Sequence, residues 1–405
     1  MKIAYILTTF PCRSETFAAR EIKGLRELGL DITVLAATEQ HCSPIDTNEL
    51  KKTLYKPPLL SWDAVSSLGY IIIKYPFALA RLTYLILKLV KSSPREAMCL
   101  IANLHTIIFF SKHLDRNNIS HIHAYFLSWP ACIGLAVATI INRTFSIAAH
   151  ARDIFVEHGA IRLKAKHAGF IVSCTQQGLR QLQANLPAKY HNKLYLNRHG
   201  IKAPYTGCDC HGNNISESRI DDLIIAVGRL VQKKGFINLL KALALVVKQK
   251  PSCKLMIVGD GPERKRLTEL VLEQGIGDYV QFLGWLNINE TQRFIRRAAI
   301  VTVPSIIADD GDRDGVPNVI LEAFVGKVPV IASALESISE IVKDEETGLL
   351  VRPGNISELA LTIQRLLDDK NLRRRLSQKA YEMIKQHFNS SDNIKQLSEL
   401  FMGIS

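Results

Sequence analysis

Short apolar runs recur along this 405-residue chain at positions 3–7, 32–35, 121–125, 146–149, 170–173 and 194–196, and longer periodic stretches separate them. Runs of that length, rich in Ile, Leu and Val, read as strands buried on both faces, and the longer stretches read as helices. Their alternation predicts an α/β domain with a parallel sheet over residues 1–202. The periodicity is lost at 203–221, where Gly, Asn and Ser gather, and a linker is expected there. It restarts at 223–227, 254–258, 280–283, 300–303, 328–332 and 348–351, predicting a second domain over 222–385. Helical patterns at 358–369, 371–386 and 391–402 close the chain, and residues 386–405 are expected to return to the first domain. The fold class is therefore α/β, with two doubly wound, Rossmann-like domains facing a cleft that would hold the ligand.

Residues 51–112 break this rhythm. They read as apolar helices at 65–75, 77–91 and 95–112, with Lys51, Lys52, Lys56, Lys74, Arg81, Lys88, Lys91, Arg95 and Lys112 set against only Asp63 and Glu96. Over half of the formal net charge of +13 lies here. Lys74, Pro76 and Arg81 interrupt the apolar run before the roughly 18 clean residues of a membrane span accumulate. Two readings stay open: a segment lying on an anionic membrane surface, or helices packed on the first sheet with solvated basic edges.

A pI of about 9.3 favours partners that carry phosphate or anionic headgroups. Nucleic acid is not expected, because RNA-binding aromatics, zinc-finger spacing and long basic runs are missing from the sequence. The eight cysteines are scattered, which points to a reducing, cytoplasmic setting. Cys208, Cys210 and His211 sit together, but no second cluster supplies further ligands, so they read as an accident of the linker. The N-terminal apolar run is shorter than a signal peptide's core and reads as a first strand.

The richest stretch for chemistry is Asp314-Gly315-Val316-Pro317-Asn318-Val319-Ile320-Leu321-Glu322. Pro317 suits the first position of a helix, leaving the amides around Gly315, Val316 and the first turn free to face a diphosphate. Glu322 would accept hydrogen bonds from a ribose, and Asp314 from a sugar's hydroxyls. Upstream, Gly228, Arg229, Lys234 and Gly235 follow a strand, placing two cations where a diphosphate could be neutralised. Gly259-Asp260-Gly261-Pro262 is only a fragment of a dinucleotide fingerprint and does not argue for NAD.

Arg229 and Lys234, the Gly-Asp-Gly-Pro turn, Phe282-Leu283-Gly284, Pro304-Ser305 and Asp314-x7-Glu322 come in that order on successive strand ends. The series resembles the donor half of retaining GT-B glycosyltransferases, glycosyltransferase family 4 in particular. The resemblance extends to Phe10-Pro-x-x-Ser14-Glu15-Thr16-Phe17 and Ala149-His150-Ala-Arg-Asp153-Ile, and is weakest over 40–115. It implies a nucleotide diphosphate sugar as co-substrate, UDP-sugar favoured over GDP-sugar, with no cofactor and no metal. Gly228, Arg229, Lys234, Gly259, Gly261, Leu283, Asp314, Gly315, Val316, Pro317, Asn318 and Glu322 would bind the donor. Arg229, Lys234, Asp314 and His150, which approaches the donor sugar in that family, would be catalytic. Ser14, Glu15, Thr16 and Asp153 would border the acceptor. Asp314 departs from the Glu that the family commonly has there, which bears on the sugar contact.

The two first-domain motifs look most like bacterial enzymes that build exopolysaccharide, lipopolysaccharide or colanic-acid-type repeat units. They imply a saccharide acceptor on a lipid carrier and a peripheral site at the inner face of the cytoplasmic membrane. The alternatives are a nucleotide-sugar epimerase or hydrolase on the same fold, or a non-catalytic membrane-surface protein that binds sugar nucleotides.

Overall fold

The computed structural model describes residues 1–12, 15–39, 53–58, 61–157, 159–201, 219–388 and 390–404. The chain divides into two compact units, one of Met1–Arg198 with Asp392–Ser405 and one of His199–Ser391. Most of the expected linker, 203–218, lies outside the described residues, as do Cys208, Cys210 and His211.

In the first unit the described strands are β1 (Lys2–Thr9), β2 (Asp31–Thr38), β3 (Thr53–Tyr55), β4 (His121–Tyr125), β5 (Thr144–Ala149), β6 (Ile171–Ser173) and β7 (Leu194–Leu196). They form one parallel sheet in the order β3-β2-β1-β4-β5-β6-β7. Both faces are covered, as the unbroken apolar runs require. Ala4 and Ile6 of β1 enter one core layer, while Ile3, Tyr5 and Leu7 enter the other. The C-terminal helix, Ser390–Met402, belongs to the second layer, where Phe401 meets His123 at 5.1 Å between ring centroids. The helix Trp129–Ile141 is apolar on every side and is buried accordingly.

The strand β3 was not expected, being a three-residue edge element in a stretch with no alternation. The helical pattern at 95–112 proves to be two helices, Pro94–Ala102 and Leu104–Arg116, bent by 66° at Asn103. Asn103 is buried and its side-chain amide bonds back to the Cys99 carbonyl, a local bond that competes with helix continuation. No single helix among the described residues is long and apolar enough to cross a membrane.

The second unit repeats the plan with β8 (Ile220–Val227), β9 (Lys254–Val258), β10 (Val280–Gly284), β11 (Ala298–Val303), β12 (Val330–Ser333) and β13 (Leu349–Val351). The order is β10-β9-β8-β11-β12-β13, all parallel. Ile224 and Ala226 face one layer, Leu223 and Ile225 the other. In each unit the connection order reverses at one place, between β1 and β4 and between β8 and β11. Ligands of doubly wound sheets bind outside the carboxyl ends of the strands at such a point.

Candidate active site

At the carboxyl end of β8 the chain turns through Gly228–Val231, makes a short 3-10 turn at Gln232–Lys234, and enters the helix Phe236–Gln249 at Gly235. Gly235 has φ +66, and a Cβ there would lie 1.9 Å from the Pro304 carbonyl oxygen. Only glycine allows the loop after β8 and the loop after β11 to lie that close. They are joined again where Ile306 N–H donates to the Lys233 carbonyl, 2.8 Å.

Gly259 and Gly261 have a packing reason of their own. A Cβ on Gly259 would fall 2.0 Å from Gly228 O, and one on Gly261 2.5 Å from Leu230 O. The Leu230 and Glu263 amides complete this join, donating to Asp260 O at 2.9 Å and Leu230 O at 3.0 Å.

These loops bring the expected charges together at the switch point. The Asp314 carboxylate accepts from Lys234 Nζ at 2.9 Å and from Ser305 Oγ at 2.6 Å, and Lys233 Nζ lies 3.9 Å away. Lys233 is ion-paired to Asp312 at 3.1 Å. Asp314 is buried, and burial alone would raise its pKa. Lys234, Lys233 and the Ser305 hydrogen bond outweigh that and hold it below the ordinary value. Its backbone carbonyl accepts from Ser337 Oγ at 2.8 Å. Lys234, assigned from sequence to the diphosphate, and Asp314, assigned to the donor sugar, thus touch each other. Lys233, Ser305 and Ser337 were not singled out as holding Asp314. The Lys233-Lys234 doublet and the Ser after Pro304 were the signals for the first two.

The helix after the turn runs Asn318–Val325. Pro317 caps it with ψ 123 rather than occupying its first position as expected; an extended ψ stops the helix from starting one residue earlier. Gly315 and Val316 are half-buried, and Glu322 is half-buried on the second turn. Arg229 is exposed and reaches no carboxylate among the described residues. Leu283 and Gly284 end β10, and Gly284 has φ +69.

In the first unit the expected residues lie after the carboxyl ends of β1 and β5, except Ser14, which lies outside the described residues. His150 directly follows β5. Its ring rests among Phe17 at 5.4 Å, Tyr125 at 5.0 Å and Phe126 at 4.5 Å. Burial pushes His150 down to about 3, against a bond to the Ala148 carbonyl, so the imidazole is neutral at physiological pH. Its backbone N–H donates to Asp153 Oδ2 at 3.2 Å. Burial raises Asp153 to about 7 despite hydrogen bonds from the Leu127 and His150 amides. Glu15, which precedes the helix Thr16–Glu27, is also raised to about 7, by burial and then by Asp153.

Three further residues here, Tyr5, Tyr125 and Phe126, were not singled out from the sequence. Glu21 accepts from the hydroxyls of buried Tyr5 at 3.0 Å and Tyr125 at 3.3 Å. Phe126 has φ +102, rare for a residue with a side chain, and such strain gathers at functional sites.

Residues 214–383 match the family model for glycosyl transferases, group 1. The second unit, His199–Ser391, is thus similar to group 1 glycosyl transferases over most of its length. The expected enzyme class, glycosyltransferase, holds. The chain is 25% identical over 304 residues to alpha-D-kanosaminyltransferase of Streptomyces kanamyceticus, covering 72% of this chain and 76% of that protein. It is 30% identical over 166 residues to the lipopolysaccharide core biosynthesis glycosyltransferase LpsE of Rhizobium meliloti, 41% of this chain and 45% of that one. Against the putative colanic acid biosynthesis glycosyltransferase WcaL of Salmonella typhimurium it is 28% identical over 183 residues, 45% of each. It thus spans less than half the length of these last two.

Among solved structures, the Anabaena HepE complex with UDP and glucose superposes over the whole of both chains with a TM-score of 0.70 at 16% identity. Sucrose-phosphate synthase from Thermosynechococcus elongatus gives 0.73 at 21% identity, over 100% of this chain and 99% of that one. The two parallel-sheet, Rossmann-like domains are those of GT-B glycosyltransferases, as expected.

Proposed function

We propose that this chain moves a sugar from a nucleotide diphosphate sugar to a saccharide acceptor with retention at the anomeric carbon, as family 4 enzymes do. The observation that carries the reading is the switch point of the second sheet. There Lys233 and Lys234 stand beside Asp314, followed by a helix N-terminus that favours an anion, and exposed Arg229 lies in the loop after β8. These cations and the helix would meet the charge of the departing diphosphate, so no catalytic metal or cofactor is required. In the transfer, the bond from the anomeric carbon to phosphate oxygen breaks and one to the acceptor oxygen forms on the same face. The acceptor's proton goes to the departing phosphate. A diphosphate would compete with Asp314 for Lys234, freeing the carboxylate for the sugar's hydroxyls. Neutral His150 can exchange hydrogen bonds with the donor sugar but cannot supply a proton at neutral pH.

The acceptor is lipid-linked and the work is bacterial surface polysaccharide assembly on this reading, in keeping with the lipopolysaccharide core and colanic acid biosynthesis roles of LpsE and WcaL. UDP is the favoured nucleotide, and the protein works at the inner face of the cytoplasmic membrane. Support comes from the helices Trp62–Lys74, Ala78–Ser92 and Pro94–Ala102. Besides their buried stripes they expose Trp62, Ile73, Phe77, Tyr84, Leu87 and Met98. Soluble proteins rarely leave so much apolar surface in one segment uncovered, and aromatic and basic side chains together suit a headgroup layer. Lys91 and Arg95 are exposed beside it. Lys74 is not available, being held by Asp115 at 2.6 Å.

The deciding experiment is calorimetric titration with UDP, GDP and ADP of the wild type and of Glu322→Ala. Binding of one nucleotide that weakens at least tenfold in the variant supports the reading. Absence of binding by the wild type overturns it in favour of a non-catalytic protein.

A further inference from the structure

Lys164 lies in the helix Ile161–His167 with its side chain 1% exposed, an unusual place for an ammonium group. All three of its N–H bonds have acceptors. Glu96 Oε1 is 2.6 Å away, the Gly159 carbonyl 3.1 Å, and the Leu127 carbonyl takes the third. The last contact is the informative one. Leu127 directly follows Phe126, whose φ of +102 is costly for any residue but glycine and whose ring lies 4.5 Å from His150. The Leu127 amide faces the other way and donates to the Asp153 carboxylate, which also holds the His150 amide. One residue, Leu127, therefore carries Lys164 on its carbonyl and Asp153 on its amide, through the two peptide bonds that flank its Cα.

A buried ion pair is often no more stabilising than an apolar pair of the same volume, so stability alone gives Lys164 and Glu96 no clear purpose. The bonds do have a geometric consequence. They pin the loop after β4 to the loop after β5 where a strained residue would otherwise relax. We propose that Lys164 is a positioning residue for the first-unit site, its ammonium fixing the Phe126-Leu127 backbone that orients Asp153 and His150. The proposal rests on the glycosyl-transfer reading of that site and adds to it a residue that never meets substrate.

Asp153 gives the role a signature. The charged groups facing it are Glu15 from the loop after β1, Glu157 from beyond its own helix, and Lys164. Glu15 and Glu157 disfavour its ionisation and Lys164 favours it, so losing Lys164 moves Asp153 still higher.

The test uses full-length protein and the hydrolysis of the UDP- or GDP-sugar whose nucleotide binds in calorimetry, with water as acceptor. The variants are Lys164→Met/Glu96→Met, which removes both charges, and Glu96→Gln, which keeps a hydrogen-bond acceptor and spares the fold if the double variant unfolds. The expected result is a kcat lower by roughly tenfold to a hundredfold in the double variant, the scale of a misplaced reacting group. Nucleotide affinity and donor KM stay unchanged, and the acid limb of the kcat profile moves to higher pH. Glu96→Gln should show a smaller fall in kcat. Wild-type kcat and an unmoved acid limb in a folded variant overturn the proposal while leaving the glycosyl-transfer reading standing. Failure of the wild type to bind any nucleotide would instead remove that reading and, with it, this one.

Discussion

At the switch point of the second sheet a buried carboxylate, Asp314, sits below its ordinary pKa because two lysines and a serine overcome the cost of burial. At the corresponding place in the first sheet, Glu15, Glu21 and Asp153 are each pushed up to about 7, burial being the leading cause. The topology is the same and the neighbours differ. Around Asp314 the sequence supplies Lys233, Lys234 and Ser305, whereas around the first site it supplies Phe17, Tyr125, Phe126 and a neutral His150. Position in a doubly wound sheet thus selects where a ligand goes. The side chains on the flanking loops decide whether the site is ionic, suited to a diphosphate, or weakly charged and aromatic, suited to sugar rings and hydroxyls.

The largest expected effect comes from making the second site resemble the first. Lys234→Met removes a cation from the leaving group and strips Asp314 of its nearest partner, leaving burial less opposed. We expect kcat/KM for the donor sugar to fall by roughly 10²–10³-fold, the scale of losing one charge-stabilising donor. Asp314 has a depressed folded pKa, so its stabilising contribution is present above the unfolded value of 3.8 and lost as pH falls through the folded one. In Lys234→Met that contribution shrinks, and the melting temperature near neutral pH should drop toward the value reached in acid. A variant with wild-type kcat/KM would mean that the diphosphate is bound elsewhere.

This contrast was half legible in the sequence. The strands were readable because a parallel sheet covered on both faces demands unbroken apolar runs, and β1 and β8 carry them. The edge strand β3 carries none, and it was missed. Asp314 and Lys234 could be named from their places on strand ends. That they bond to each other could not, because the bond depends on Gly235 letting Pro304 approach across a 69-residue gap in sequence. The contacts of Glu21 and Lys164 were harder still. Each looks like an ordinary charge on an amphipathic helix, and only tertiary packing turns one toward two buried tyrosines and the other toward the Leu127 carbonyl.

The two units also differ in what they leave uncovered. Large exposed apolar side chains cluster at 62–101 in the first unit, whereas in the second they are scattered singly. If that face meets an anionic bilayer, Lys91→Glu/Arg95→Glu should weaken sedimentation with phosphatidylglycerol vesicles by roughly thirtyfold, each basic side chain near such a surface contributing about 1 kcal/mol. Phe77→Ser, which removes an exposed apolar group, should weaken binding to neutral and anionic vesicles alike. Binding that is equal for wild type and both variants would leave the helices as a solvated cover on the first sheet.

The smallest effect separates the two carboxylate environments by the sign of their pH dependence. Glu21 has a folded pKa of about 7 against 4.5 for a free side chain, burial outweighing the hydrogen bonds from Tyr5 and Tyr125. Below 4.5 the carboxyl is protonated in both states and costs nothing. Between 4.5 and 7 the unfolded chain ionises more readily than the folded one, so stability is lost as pH rises, and above 7 the loss is complete. Glu21→Gln keeps the acceptor for both tyrosines and removes the ionisation. It should match the wild type at pH 4.5 and exceed it at pH 8 by about 1–2 kcal/mol, discounting for the partial exposure of this residue. For a unit of this size that is a rise of a few degrees in melting temperature. Asp314 behaves oppositely, losing stability toward acid, so the two melting curves against pH should diverge in slope. A Glu21→Gln variant less stable than wild type at pH 8 would show that the ionised carboxylate is needed by the tyrosines, and the first site would then be held together by charge as the second is.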